Sequence, residues 1–467
     1  MKTGISPRAE RGSVLIIVLW VAFGLVSLAI YFANSSSLEL RAADNRVASI
    51  EAQQAIAGAA RYLSNALANV TEPGLPPDPT TLRAEAVPVG EARFWLIGQS
   101  LDEEDTKDVT WGLVDEASKL NLNTATASML QKLPQMTVNL AAAIVDWRDA
   151  DSTPSDNGAE DEIYARLTPA YRCKNAPFES IEELRLVYGF TTEILFNEDA
   201  NLNGALDPNE NDEDTAPPKD NHDGHLDRGV LAYVTVHSKV SNVRTNGESK
   251  VNVGVVDDNA LRKLMTEAGI ATASVTRALL VFSTNAVPPP RGSTNPPPST
   301  AGNNTNNSVL QFYLRSGLTA AEFQLIENDL SVSTNKVIEG LVNVNTASAT
   351  VLGCLPGLDS DNKAVTLVAT RTGQDTQHSI AWLKDALSAA DAVKLGPYIT
   401  GRSDVYSADI AALGHHGRGY QRVKFIFDSS DGFPAAPKIR QRQDLTHLGW
   451  ALGQNVRRQL AEAQNTP

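Results

Sequence analysis

From Gly12 to Leu38 the chain carries no charged residue, and Val14 to Ala33 forms an apolar run of twenty residues. Coiled as a helix, such a run spans ~30 Å, the hydrocarbon thickness of a bilayer. Lys2, Arg8 and Arg11 precede it against a single acid, Glu10. Positive charge on the short flank holds that flank on the cytoplasmic side, so the long C-terminal part is expected across the membrane.

Three readings fit the run. A cleaved secretory signal would have a shorter apolar region and small residues before its cut, which Tyr31-Phe32-Ala33 does not offer. A plain signal anchor needs only the length. A type IV prepilin signal is cut after a glycine that directly precedes the apolar helix; Gly12 before Ser13-Val14-Leu15-Ile16 is so placed. The local residues leave anchor and prepilin open.

After the run the helical pattern continues. Leu40, Ala43, Val47, Ile50, Ala57, Ala60, Leu63, Leu67 and Val70 recur mostly three or four apart, and no breaker appears before Glu72-Pro73-Gly74. One helix of more than fifty residues, half in lipid and half on a soluble body, is expected. Strand-like segments follow at Ala92 to Ile97 and Val109 to Val114, around an acidic turn at Asp102 to Asp105, and return only at Asp404 to Ala412 and Tyr420 to Phe427. The gap implies one small sheet interrupted by a large insertion.

The insertion carries an internal repeat. Asn121 to Pro134 matches Asn343 to Pro356 at eight of fourteen positions, each copy reading as an extended Asn-x-Asn piece, a Thr/Ser cap and a short helix. Second helices are expected at Asn139 to Trp147 and Lys363 to Thr370. Third helices follow from the spacing of Ile181, Leu184 and Val187 and of Ile380, Leu383 and Leu387. Lys250 to Val253 with a helix at Asp257 to Ala268 is a possible degenerate third copy.

The richest chemistry lies between the copies. Asp199, Asn201, Asn203, Asp207 and Glu210 occupy positions 1, 3, 5, 9 and 12 of a twelve-residue loop with Gly204 at position 6 and the Ala205 carbonyl at 7. Calcium takes six to eight hard oxygen ligands on a chain that bends tightly around it, and this is the EF-hand loop pattern. The bland alternative is a solvated acidic loop. A second, irregular calcium site is possible at Asp220, Asn221, Asp223, His225 and Asp227. There Lys219 and Val230 fall where ligands are needed, and Asp212 or Asp214 would have to complete it. Histidines are scattered and no catalytic constellation is recognisable, so no enzyme is expected. Cys173 and Cys354 could pair in an oxidising compartment or stay as separate buried thiols. The net charge of −15 argues against a nucleic-acid surface, whose affinity needs clustered Lys and Arg.

Taken together, these residues resemble a family. Arg11-Gly12 before the helix, Asp115 to Ala125, Asp146-Trp147-Arg148-Asp149-Ala150-Asp151, Gly158 to Asp161 with Tyr164, Pro177-Phe178, Glu183 to Gly189 and the second Asn343 to Ala347 copy are similar to the minor pseudopilin K family of type II secretion systems. The resemblance implies an α+β, type IV pilin-like fold interrupted by a mainly helical insertion with two related helix-hairpin-helix-like modules. Its segments would be a leader at 1–12, a membrane part at 13–33, an amphipathic part at 34–70 and sheet parts at 71–118 and 399–467. The insertion would span 119–398, with modules at 119–198 and 340–398, a calcium region at 199–228 and a flexible loop at 286–308. It further implies cleavage between Gly12 and Ser13 by a prepilin peptidase, with methylation of the new terminus, and calcium in the insertion. The implied setting is a single-pass place in the bacterial inner membrane with the large domain periplasmic. Its implied partners are other minor pseudopilins and the inner-membrane secretion platform. Most pilins carry Glu at the fifth mature position, where this chain has Ile17; a subunit with none ahead of it needs no such carboxylate, which marks a filament tip. The runner-up is a membrane-anchored periplasmic DNA-binding protein of a competence or pilus system, since Asn-Leu-Asn-Thr-Ala before Leu-Pro also resembles helix-hairpin-helix domains. Leu133-Pro134-Gln135-Met136 lacks the glycine such hairpins need to approach phosphate.

Overall fold

The computed structural model describes residues 13–78, 80–100, 106–213, 215–282, 305–358, 360, 362–371, 379–431 and 436–465. The leader with Gly12, the acidic turn 102–105, Asp214 and residues 286–304 of the expected loop lie outside the described residues.

Helix α1 runs unbroken from Ser13 to Ala68, 56 residues and so about 84 Å. Its apolar run is exposed throughout Val14 to Ala33. Burial begins at Ala48 and recurs at Ala52, Ala55, Ile56, Ala59, Leu63 and Leu67, one stripe of mostly small residues that lets the helix press closely on a sheet.

That sheet draws on both ends of the chain. Strands β1 (Val87–Val89), β2 (Ala92–Ile97) and β3 (Val114–Asp115) come before the insertion. The insertion then contributes only short strands: β4 (Leu120–Asn121), β5 (Val234–Thr235), β6 (Lys239–Ser241), β7 (Val251–Asn252), β8 (Leu330–Ser331), β9 (Val337–Glu339), β10 (Val342–Asn343) and β11 (Ile399–Thr400). After it come β12 (Val405–Leu413), β13 (Gln421–Asp428) and β14 (Lys438–Asp444). The main sheet is antiparallel in the order β1-β2-β12-β13-β14, with β3 also on β12; Ile410 sits opposite Leu96 and Val423. Phe94, Leu96, Tyr406, Ala408, Phe425 and Phe427 meet α1 on one face. Trp95, Ile97, Ala411 and Leu413 meet Val109, Ala451, Leu452 and Val456 on the other. A sheet covered on both faces explains why β12 is apolar almost throughout. This is a type IV pilin-like α+β frame with a helical insertion.

One expectation changes, and one strand comes in addition to those expected. The strand expected over Val109 to Val114 reduces to a bridge at Trp111 and to β3, and Val109 instead buries its side chain under residues 451–456. Edge strand β14, Lys-Ile-Arg-Gln-Arg-Gln-Asp, has no apolar alternation and is mostly exposed; charged residues on an edge discourage further pairing.

Inside the insertion, three units share one build. Each opens on a two-residue strand ending in Asn and closes on a parallel partner: β4 with β5, β7 with β8, β10 with β11. In each, the Asn side-chain oxygen accepts the backbone N–H two residues on, from Asn123, Gly254 and Asn345. Arg148 bonds the carbonyls of Leu122 and Ala125 in the first unit, and Arg371 those of Val344 and Ala347 in the last. In the middle unit Asn306 takes that place, on the Val253 carbonyl 2.7 Å away. The degenerate copy is thus a full third unit, beyond the two modules named from sequence, with helices at Asp258–Glu267 and Thr272–Phe282. The helix expected around Ile181 to Val187 is a 3-10 turn, Ile181–Leu186.

Candidate functional site

The loop from Asp199 to Glu210 follows a short helix, Thr192–Phe196, and ends in the 3-10 turn Pro208–Glu210. Gly204, at φ +70, gives the tight bend. Backbone N–H groups organise the side-chain oxygens from behind: Asn203 and Gly204 donate to Asp199, Asn203 also to the Asn201 oxygen, and Ala205 to the Asn203 oxygen. Ala200 and Asp207 donate to the two Glu210 oxygens at 3.2 and 3.0 Å. The amides of Asn201 and Asn203 converge on one Asp207 oxygen at 2.8 and 3.0 Å.

All six positions are buried, Asp199 at 2% and Glu210 at 1% exposure, so the solvated acidic loop is not what forms. Burial pushes the Asp199 carboxyl upward, and burial followed by the Asp199 charge pushes Glu210 up to about 9. Three buried carboxylates around one bend are costly without a counter-charge. Arg228, bonded to the Gly204 carbonyl, and Arg422 lie on the Asp199 side of the loop, and the six candidate donors are all oxygens, the kind of set that calcium takes.

The loop is also fastened to the sheet. Arg422 of β13, with no exposed surface, donates to the carbonyls of Asn201 and Leu202 while pairing with Asp409 of β12. Asn201 donates to the Trp450 carbonyl at 2.9 Å, and the Leu206 N–H to Thr106 at 2.7 Å. Ala205 packs among Trp95, Ile97, Ala411 and Leu413.

Residues 221–227 form a second loop beside the first. Asn221 accepts from Asp223 N–H and Asp223 from His225 N–H. Sequence reasoning missed Glu198, which is buried and takes the N–H groups of Asn221 and Asp227 on its two oxygens, at 3.3 and 2.8 Å. Glu198 rather than Asp212 is the distant carboxylate facing this loop. The Asp220 carboxylate turns instead to the N–H groups of Asp212, Glu213 and His222.

A third acidic group lies in the first unit, where Asp149, Asp151 and Glu160 bring one oxygen each within 4.8 Å of one another. Glu160 is 2% exposed and its oxygens accept no N–H or hydroxyl group, the Cys173 thiol being the donor beside them, and Asp149 Oδ1 is likewise without an N–H or hydroxyl partner. Burial raises both carboxyls, with the neighbouring Asp151 charge next for Asp149. Three carboxylate oxygens brought this close are a donor set of the kind a hard cation takes. The two acidic motifs were visible in the sequence; that the fold buries Glu160 between them was not.

Cys173 and Cys354 are both buried, each against backbone carbonyls, and no disulfide joins them. The repeated Asn-x-Asn segments are interior: Asn121, Asn343 and Asn345 are buried and hydrogen-bonded, which withholds them from a phosphate backbone. Ile17 lies exposed within the apolar run of α1, and Ser13 is the first residue of that helix.

Residues 113–197 match the family model described as type II secretion system (T2SS), protein K. This stretch of the chain matches the protein K family. The type II secretion system protein K of Pectobacterium carotovorum subsp. carotovorum is 49% identical over 55 residues, 12% of this chain and 17% of that protein. That of Klebsiella pneumoniae is 45% identical over 56 residues, again 12% and 17%. That of Pseudomonas aeruginosa is 41% identical over 64 residues, 14% and 18%. The alignments therefore span less than a fifth of the relatives' length. Among solved structures, a chain of the GspK-GspI-GspJ complex from enterotoxigenic Escherichia coli aligns over 84% of this chain and 96% of its own at TM-score 0.38 and 11% identity.

Proposed function

We propose that this chain is a minor pseudopilin of a type II secretion system that stands at the tip of the pseudopilus and initiates or caps the filament. The observation that carries this reading is the match of residues 113–197 to protein K, in an insertion that interrupts a pilin-like frame. The exposed apolar half of α1 is suited to a bacterial inner membrane, with the body on the periplasmic side. Ile17 replaces the carboxylate that an internal subunit would offer to the subunit ahead, and burying such a group in lipid without a partner would be costly. The role is structural: α1 meets other minor pseudopilins and the inner-membrane platform, while the body is held in shape by divalent cations. Asp199, Asn201, Asn203, Asp207, Glu210 and the Ala205 carbonyl would hold calcium in the first loop. Glu198, Asn221, Asp223 and Asp227 with the His225 carbonyl would serve the second, and Asp149, Asp151 and Glu160 a third. Isolating the chain from membranes of the bacterium that makes it and sequencing its amino terminus tests the reading. A terminus at Ser13, lost in a Gly12→Val variant, is expected; an intact leader on the membrane-bound chain counts against it.

A further inference from the structure

The loop from Asp199 to Glu210 does more than close on itself. Its carbonyl-bearing outer side lies on the sheet face that α1 does not cover, and residues distant in sequence fasten it there. Arg422 has the largest fully buried side chain among the described residues. Its guanidinium divides between Asp409, at 2.9 and 2.6 Å, and the carbonyls of Asn201 and Leu202. Ligand residue Asn201 also reaches Trp450, at the start of the C-terminal segment.

These bonds require the loop to hold one shape. Asn201 points its side-chain oxygen inward, toward the Asn203 N–H, while its own carbonyl faces Arg422. Without a cation the buried carboxyls of Asp199, Asp207 and Glu210 crowd one bend with Arg228 and Arg422 on the Asp199 side alone, and relief by opening the loop would turn the 201 and 202 carbonyls away from Arg422. A fully buried guanidinium that loses two acceptors is heavily penalised, so the disturbance passes into β12 and β13.

We infer that this loop is a cation-dependent joint that locks the inserted domain onto the outer face of the sheet, with Arg422 as the positioning residue that reads the shape of the loop. The inference rests on the reading that the loop binds a divalent cation. In a filament subunit such a joint would make the placement of the insertion relative to the α1 spine depend on free calcium outside the cytoplasm.

The test is hydrogen exchange read by mass spectrometry on the full-length chain in detergent micelles, with calcium or with a chelator, alongside calorimetric titration of calcium. Removal of calcium is expected to speed exchange about tenfold or more in 199–210 and also in 421–423 and 450–453. Because Arg422→Met alone would strand Asp409 and fail to fold, the informative variant is Arg422→Met with Asp409→Leu, an apolar replacement of the buried pair. That variant should bind calcium and protect its loop while 421–423 no longer respond, with 450–453 still tied through the bond from Asn201 to the Trp450 carbonyl. Calcium that protects the wild-type loop and leaves the sheet segments unchanged overturns the joint but keeps the binding site. A titration without binding overturns both, whereas a double variant whose 421–423 segment still responds like the parent overturns the joint alone.

Discussion

Arg422 on β13 and Asn201 in the inserted loop are 221 residues apart in sequence and are joined by a hydrogen bond from guanidinium to carbonyl. The insertion is therefore tied to the sheet through the loop as well as through the chain crossings near β3 and β12. A second tie lies at the first crossing, where Asp115 Oδ2 accepts from Asn343 at 2.8 Å and from Thr346 at 2.7 Å, in the last repeat unit.

Asp115→Ala should be among the more damaging single changes in the body. Its carboxylate is buried and serves Ala117 N–H, Asn343 and Thr346 together. Orphaning buried donors costs about 1–3 kcal/mol each, so a loss of about 2–4 kcal/mol is expected after partial rearrangement. Chemical denaturation of the full chain in detergent checks it, and a change under about 0.5 kcal/mol, the range of ordinary surface substitutions, contradicts it.

The turn between β12 and β13 should make stability depend on pH. Gly414 presses on α1 so closely that a Cβ there would meet the Ala48 carbonyl at 2.2 Å. His415 beside it bonds Asp44 through Nε2 at 2.9 Å and Glu51 through Nδ1 at 2.7 Å, and Arg418 also pairs with Asp44. The bonds to Asp44 and then Glu51 raise the imidazole, so its contribution is full below its ordinary value of 6.5 and is lost as pH rises through the raised one. Both carboxylates are lowered, Asp44 chiefly by the His415 side chain and Glu51 chiefly by the His415 N–H. Their contribution is present above about 4.5 and is lost as pH falls through the lowered values. Melting temperature should thus favour the parent over His415→Gln most between about pH 4.5 and 6.5, with the gap narrowing on the alkaline side. A gap that widens from pH 6.5 to 8 would show the histidine acting otherwise.

Calcium should raise the melting temperature of the parent far more than that of Asp199→Ala/Glu210→Ala. A cation held at a hundred times its dissociation constant adds about 2.7 kcal/mol. Equal melting of the two proteins in excess calcium would remove the structural role assigned to the loop.

Glu160→Gln keeps the size of the side chain and removes a buried charge whose charged neighbours are the acids Asp146, Asp149 and Asp151. In chelator at pH 8 the variant should melt at least as high as the parent, and it should lose part of the gain that calcium or manganese gives. Equal gains in both proteins would leave the 149, 151 and 160 group without a cation.

Much of this fold was readable because its signals were strong and local. The α1 run lacks charge over a span no water-facing helix would leave apolar, and β12 and β13 are dense in buried residues. The tight bend from Asp199 to Glu210 was readable for a related reason, since its spacing of Asp, Asn, Gly and Glu is a strong local pattern. What was missed depends on tertiary placement. Strand β14 pairs along its backbone while its Lys and Arg side chains are exposed and Gln441 and Gln443 bond His237 and Glu182, so its composition carries no strand signal. The middle repeat unit substitutes Gly254 and the distant Asn306 for residues the other two carry locally. Glu198 reads as one more acid in an acidic stretch until the fold turns it toward the second loop, away from its neighbour Asp199. Asp149 and Glu160 likewise differ from exposed acids only in being enclosed.

The central claim is a tip subunit that the secretion filament requires. Deleting the chain from the bacterium that makes it, and assaying export of type II substrates into the medium, tests this most directly. Export should stop, return with the intact chain, and fail to return with a Gly12→Val chain that is made but left unprocessed; export that continues unchanged in the deletion strain would contradict the account.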